Sequence, residues 1–223
     1  MWAWVGRSIA FAATAMFVGG CQTTGLIGPV NNTLDLNAQI QSAAIPTSTP
    51  MPSGVEHGPI PPGFVSFCIR FSSQCEAPAS QPAIIALTSD NWGLLGRINR
   101  QVNASIWPED DQKHYGRGEY WTIPTDGYGD CEDYALAKRK TLIDAGLPER
   151  ALRIGIVVTP RDNSHAVLTV ATDRGDYVLD SLMDDIQPWN RTDYRWVERQ
   201  DSANVTQWVA FNGDPTQIAT AAH

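Results

Sequence analysis

The chain has 223 residues, with 16 basic against 24 acidic side chains and a formal charge of −8. A hydrophobic fraction of 43% suffices for a core and excludes wholesale disorder, while 18% charged residues argues against a coiled coil or a charged tail protein. The acidic balance, with no basic cluster beyond Lys138-Arg139-Lys140, makes nucleic acid a poor partner, and four cysteines are too few for a disulfide scaffold.

In chain order, residues 1–20 read as an export signal. Arg7 supplies the positive region, and Ile9 to Val18 is an apolar run of about ten residues. That is too short to cross a membrane, which takes roughly 20. Val18-Gly19-Gly20-Cys21 resembles the lipobox of bacterial lipoproteins, which makes Cys21 the expected lipidation site and the membrane anchor. An ordinary signal peptide with an incidental Cys21 is the other reading. Residues 21–62 read as a flexible tether carrying seven of the 15 prolines among Ser, Thr, Gly and Asn. Within it, 31–44 has at most transient helical character.

A globular domain is expected over 63–210, followed by a tail over 211–223. Cys68 and Cys75 are an expected disulfide in an exported protein. The alternative, a zinc pair, lacks a second Cys/His pair. Leu94, Leu95, Ile98 and Val102 mark one face of a helix over 89–105, with Ser89 or Asp90 as its cap. The stretch 108–126, holding Glu109, Asp110, Asp111, Tyr115, Tyr120 and Trp121, is irregular, and its aromatic content argues against disorder. Trp121 fits either a cleft lining or a plain core position.

Gly127-Tyr128-Gly129-Asp130-Cys131-Glu132-Asp133-Tyr134-Ala135 is the most informative segment. Asp130 suits an N-cap, acidic residues fill the first turn, and Gly146 with Pro148 stops the helix. Cys131 therefore sits where unpaired backbone N–H groups favour a thiolate. A buried structural cysteine is the competing reading. Strands are expected over 152–159, 165–171 and 177–182, the last two joined through Asp173-Arg174-Gly175-Asp176. A two-residue loop makes paired positions sum to 347, and a four-residue loop to 349. Either register puts His165 and Asp180 on one face, whereas a three-residue loop would separate them. A His oriented by a carboxylate beside a helix-terminal Cys is the layout of an activated nucleophile. Otherwise His165 is a satisfied strand histidine and Asp180 a strand-end cap.

Asn99-Arg100-Gln101-Val102-Asn103, Tyr120-Trp121, Gly129 to Ala135, His165-Ala166-Val167-Leu168 and Val178-Leu179-Asp180 together resemble the bacterial transglutaminase-like cysteine proteinases, including the LapG-type periplasmic proteases. The resemblance spans roughly 64–197. It implies an α+β, papain/transglutaminase-like fold in which a Cys-bearing helix packs on an antiparallel sheet. It assigns Cys131 as nucleophile, His165 as base and Asp180 as the orienting acid. Ser181 departs from the Asn common after that Asp.

Asp130, Glu132 and Asp133 lie within a turn of a thiol that must ionise, and each negative charge opposes ionisation. A hard divalent cation on their oxygens would remove the conflict. LapG-type members are calcium-dependent, and Asp130 and Glu132 match their acidic positions. Asp133 is the weaker ligand candidate, and all three also suit a helix dipole alone. The resemblance thus implies a periplasmic cysteine peptidase, with calcium as cofactor and no organic one. It further implies a large secreted adhesin as protein substrate and an inner-membrane regulatory receptor. Transglutaminase-type transfer to amines, and a catalytically silent lipoprotein, are the alternatives.

Overall fold

The structure, a computed structural model, describes residues 45–54 and 56–211. The export signal, Cys21, residues 21–44 of the expected tether and residues 212–223 of the expected tail lie outside them. The elements follow as β1 (Glu56–His57), α1 (Pro62–Arg70), α2 (Ser89–Ser105), β2 (Trp107–Pro108), α3 (Asp111–Tyr115), β3 (Tyr128–Gly129) and α4 (Cys131–Asp144). Then come β4 (Leu152–Val158), β5 (Ser164–Thr172), β6 (Gly175–Asp180), β7 (Met183–Pro188), β8 (Arg195–Gln200) and β9 (Trp208–Ala210). Seven strands make one antiparallel sheet in the order β1-β9-β8-β4-β5-β6-β7. Short β2 and β3 pair in parallel beside it, Trp107 opposite Tyr128.

Strand β5, an interior strand, is buried at every position after Ser164, so both faces of the sheet are covered there. Side chains alternate across the pleat. Leu168 and Val170 join Leu152, Ile154 and Leu179 in a core with Leu95, Ile98 and Val102 of α2 and Tyr134, Ala135 and Leu142 of α4. Val167, Val157 and Val178 face the other way, onto Met51, Trp189, Trp196, Val209 and Phe211. Gly155 is required on that second face, because a Cβ there would sit 2.8 Å from Trp196.

Helix α2 has the expected bounds, but its cap is Thr88, whose hydroxyl accepts the Asn91 N–H at 3.2 Å. The start of α4 is also as expected, except that the Asp130 side chain makes no capping bond. The helix ends at Gly146, whose φ of +93° suits the left-handed position past a C-terminus. The β5–β6 hairpin has the two-residue loop, with Thr172 opposite Gly175 and Leu168 opposite Leu179, the 347 register. Cys68 and Cys75 form a disulfide across the end of α1.

The boundary between tether and domain needs correction. Residues 45–62 belong to the fold, and so does Phe211, which is buried. Residues 45–54 form a strap that runs from the edge of the first core at Ile45 to the second face at Met51. The Pro46 carbonyl accepts from Tyr177 Oη at 2.8 Å. The Thr49 carbonyl accepts from the Asp176 N–H at 3.0 Å and from Trp189 Nε1 at 2.8 Å. Beyond them, β1 pairs with β9. Proline-rich composition removes donors but leaves every carbonyl free to accept, so such a segment can be fixed by donors on the surface it crosses.

Candidate active site

Cys131 opens α4, the helix packed on β5, and it is the free cysteine among the described residues. Its thiol lies beside the backbone N–H of Ala166, the residue after His165. It also approaches Glu132, with Sγ 3.1 Å from Oε2. Burial first, then the Glu132 carboxylate, pushes the thiol well above its ordinary range, and the Ala166 N–H only partly opposes this.

His165 stands near the start of β5 and Asp180 at the end of β6, one diagonal step apart on the same face. His165 Nε2 meets Asp180 Oδ1 at 2.7 Å, both side chains being buried. With Nε2 donating to the carboxylate, Nδ1 is the unprotonated nitrogen. Burial tends to raise the Asp180 pKa, but the His165 contact, the Leu182 N–H at 2.9 Å and Tyr194 Oη at 2.5 Å together hold it below the usual carboxylate value. Tyr194, from the segment leading into β8, is a site residue that no local spacing in the sequence connects to Asp180.

Two asparagines from the Asn99–Asn103 motif fix the same corner. Asn99 Nδ2 donates to the carbonyls of Met183 and Asp184 at 2.8 and 2.9 Å. Asn103 Nδ2 donates to the Asp180 carbonyl at 3.0 Å. Both clamp α2 to the turn that follows Asp180.

The acidic residues divide differently from the expectation. Asp111, Asp130 and Glu132 bring one carboxylate oxygen each within 4.8 Å of one another. Asp111 Oδ1 and Asp130 Oδ1 are buried there without hydrogen-bond partners among the described residues. Burial, followed by repulsion between neighbouring carboxylates, raises the pKa of all three. Asp133 is not in this group. Fully buried, it spends Oδ1 on the Thr122 N–H at 2.7 Å and so holds the loop before the helix. Asp111 was legible only as one acid among several in an irregular stretch, and helix α3 turns it toward Asp130.

Trp121 is a core residue rather than a cleft lining. It is 2% exposed and packs edge-on against Phe64 and Trp208, with centroids at 5.8 and 6.2 Å.

The sequence model of the bacterial transglutaminase-like cysteine proteinases matches residues 55–216. No curated protein sequence matches. Among solved structures, calcium-bound LapG of Legionella pneumophila is 23% identical, covering 72% of this chain and 90% of its own at a TM-score of 0.46. The EGTA-treated form is 27% identical, covering 61% and 71% at 0.43. A third LapG structure from that organism is 25% identical, covering 71% and 83% at 0.46. Since the family's sequence model takes in the helix, hairpin and sheet that carry this site, the chain belongs to the bacterial transglutaminase-like cysteine proteinases and has their transglutaminase-like fold.

Proposed function

We propose that the protein is an exported cysteine protease in which Cys131 attacks a peptide carbonyl, His165 acts as base and acid, and Asp180 orients His165. The observation that carries this reading is the His165–Asp180 pair at 2.7 Å on the strand against which the Cys131 helix packs. The thiol proton leaves as sulfur attacks, and His165 Nδ1 is the acceptor. The tetrahedral oxyanion is met by the Cys131 backbone N–H, which the helix start leaves unpaired. Collapse expels the amine, which takes the proton back from His165. Water, deprotonated by the same imidazole, then resolves the thioester and frees the thiol.

Asp111, Asp130 and Glu132 fit a calcium ion, since buried, partnerless carboxylate oxygens are what a hard cation requires. When bound, calcium supplies positive charge that offsets the carboxylates beside the thiol. The substrate we assign is a large secreted adhesin. Lipidation at Cys21 would anchor the enzyme on the periplasmic side of a membrane, and an inner-membrane receptor would regulate it.

Cleavage of an adhesin fragment tests the chemistry. Cys131→Ala and His165→Ala should abolish it, and Asp180→Asn should leave a small residue of activity. Near-normal cleavage by Cys131→Ala would overturn the reading, and incorporation of a labelled amine without hydrolysis would reassign it to acyl transfer. Cys21→Ser should release a soluble periplasmic form that is unchanged on a soluble substrate. Retention on the membrane would remove the anchor.

A further inference from the structure

The second face of the sheet encloses a cavity of about 380 Å³ beneath the strap, lined by Arg153 of β4 and Arg199 of β8. This lies within the ~300–1,000 Å³ range of small-molecule sites. It is separate from the thiol: Arg153 is four residues along β4 from Val157, the partner of His165, or roughly 13 Å at the rise of a strand.

The two arginines are served unequally. Arg199 gives one nitrogen to Asp176 Oδ2 at 2.9 Å and another to the Pro52 carbonyl at 3.3 Å. Arg153 is 7% exposed, and its buried Nε finds no acceptor among the described residues. Nor does any carboxylate among them come within 4.0 Å of it. Burying a cation unpaired is costly, and an arginine fork is shaped for two parallel bonds to a carboxylate. Burial and the adjacent Arg199 lower the Arg153 pKa to about 10, so it stays charged near neutrality.

The remaining lining narrows the ligand. Asp173 and Asp201 also line it, one oxygen of each accepting from the N–H groups of Leu87 and Ala203 respectively. Together with the Asp176 already paired to Arg199, they outnumber the two guanidiniums, which disfavours a dianion and confines a single negative charge to Arg153. Met51, Ile84 and Val209 supply apolar wall for a short aliphatic body. We propose that this cavity is a binding site for a small aliphatic monocarboxylate, its carboxylate held by Arg153 and its chain lying against Met51 and Val209.

Calorimetric titration of the full chain with hexanoate tests this, with hexanol and inorganic phosphate as comparators. Hexanoate should bind saturably and shift the Arg153 Nε–H resonance, whereas hexanol and phosphate should do neither. Arg153→Gln should weaken binding by about tenfold or more. Ala83→Phe, which fills the cavity and keeps both arginines, should do the same and decides the matter if Arg153→Gln fails to fold. Absence of saturable hexanoate binding, equal binding of phosphate, or unchanged binding in either folded variant would overturn the site.

Discussion

Asp180 draws its partners from three places in the chain, and only one of them could be paired to it by register. The 347 sum brings His165 to it, but Tyr194 arrives from beyond β7 and Leu182 contributes only backbone. Tyr194→Phe should therefore leave KM near normal and lower kcat by roughly tenfold, the order expected for one hydrogen bond to a charged acceptor. Its pH–rate profile should also shift, because the carboxylate that orients His165 loses a donor. A variant with an unchanged profile would reduce Tyr194 to packing. The acids give a sharper contrast. Asp111→Asn should abolish the response to calcium and chelator in a Cys131 alkylation assay. Asp133→Asn should keep that response while costing about 1–3 kcal/mol in denaturant unfolding, the penalty for disturbing the buried oxygen that accepts the Thr122 N–H. The sequence grouped Asp133, as the weaker candidate, with Asp130 and Glu132 because proximity along a helix turn does not say which way a side chain faces, and it passed over Asp111 because a five-residue helix leaves no periodic trace.

At the scale of elements, α2 and the β4–β6 strands were legible because their apolar positions recur at 3.6 or at 2, and α4 because acids open it and Gly146 with Pro148 close it. Strands β7 and β8 were not, since Met183-Asp184-Asp185 is exposed and Arg199 and Gln200 are buried polar residues where alternation calls for apolar ones. The β4–β8 register also slips between Ile156 and Val157. Helix α1 begins at a proline directly after the Pro-rich run and reads as part of it. On α4, Lys138 is 1% exposed, which the Lys138-Arg139-Lys140 run gave no reason to expect. Burial lowers its pKa to about 7, with Asp180 and Asp184 working against the shift. Between pH 7 and the ordinary lysine value of 10.5, the unfolded chain binds a proton that the fold refuses, so this residue makes stability rise with pH across that window. The slope is bounded at ~1.4 kcal/mol per pH unit. Lys138→Met should flatten the profile from pH 7 to 9 in urea melts and be relatively most stabilising at its acid end. Parallel wild-type and variant profiles would show that the amine escapes to solvent.

For the whole molecule, the α+β class, the hairpin and the relation of helix to sheet follow from pattern, whereas the reach of the domain toward its N-terminus does not. Residues 45–62 have the composition of a linker, and it is the donors of Tyr177, Asp176 and Trp189 together with the pairing of β1 to β9 that make them structure. A chain beginning at residue 63 should thus lose β1, uncover Val209 and Phe211 and melt well below one beginning at residue 45, as differential scanning calorimetry would measure. Equal melting temperatures would return these residues to the tether.

The strap also sets how the domain answers to tension. A pull on the N-terminal side of Ile45 meets the carbonyl contacts of Pro46 and Thr49 before it reaches β1, and each joins the chain to a different donor. Such a seam opens one contact after another rather than all together. Under a steady tug from a surface the strap would peel while β4–β6 and the Cys131 helix kept their packing. The ten residues would then act as a mechanical fuse, lengthening the leash without unfolding the part that bears the thiol.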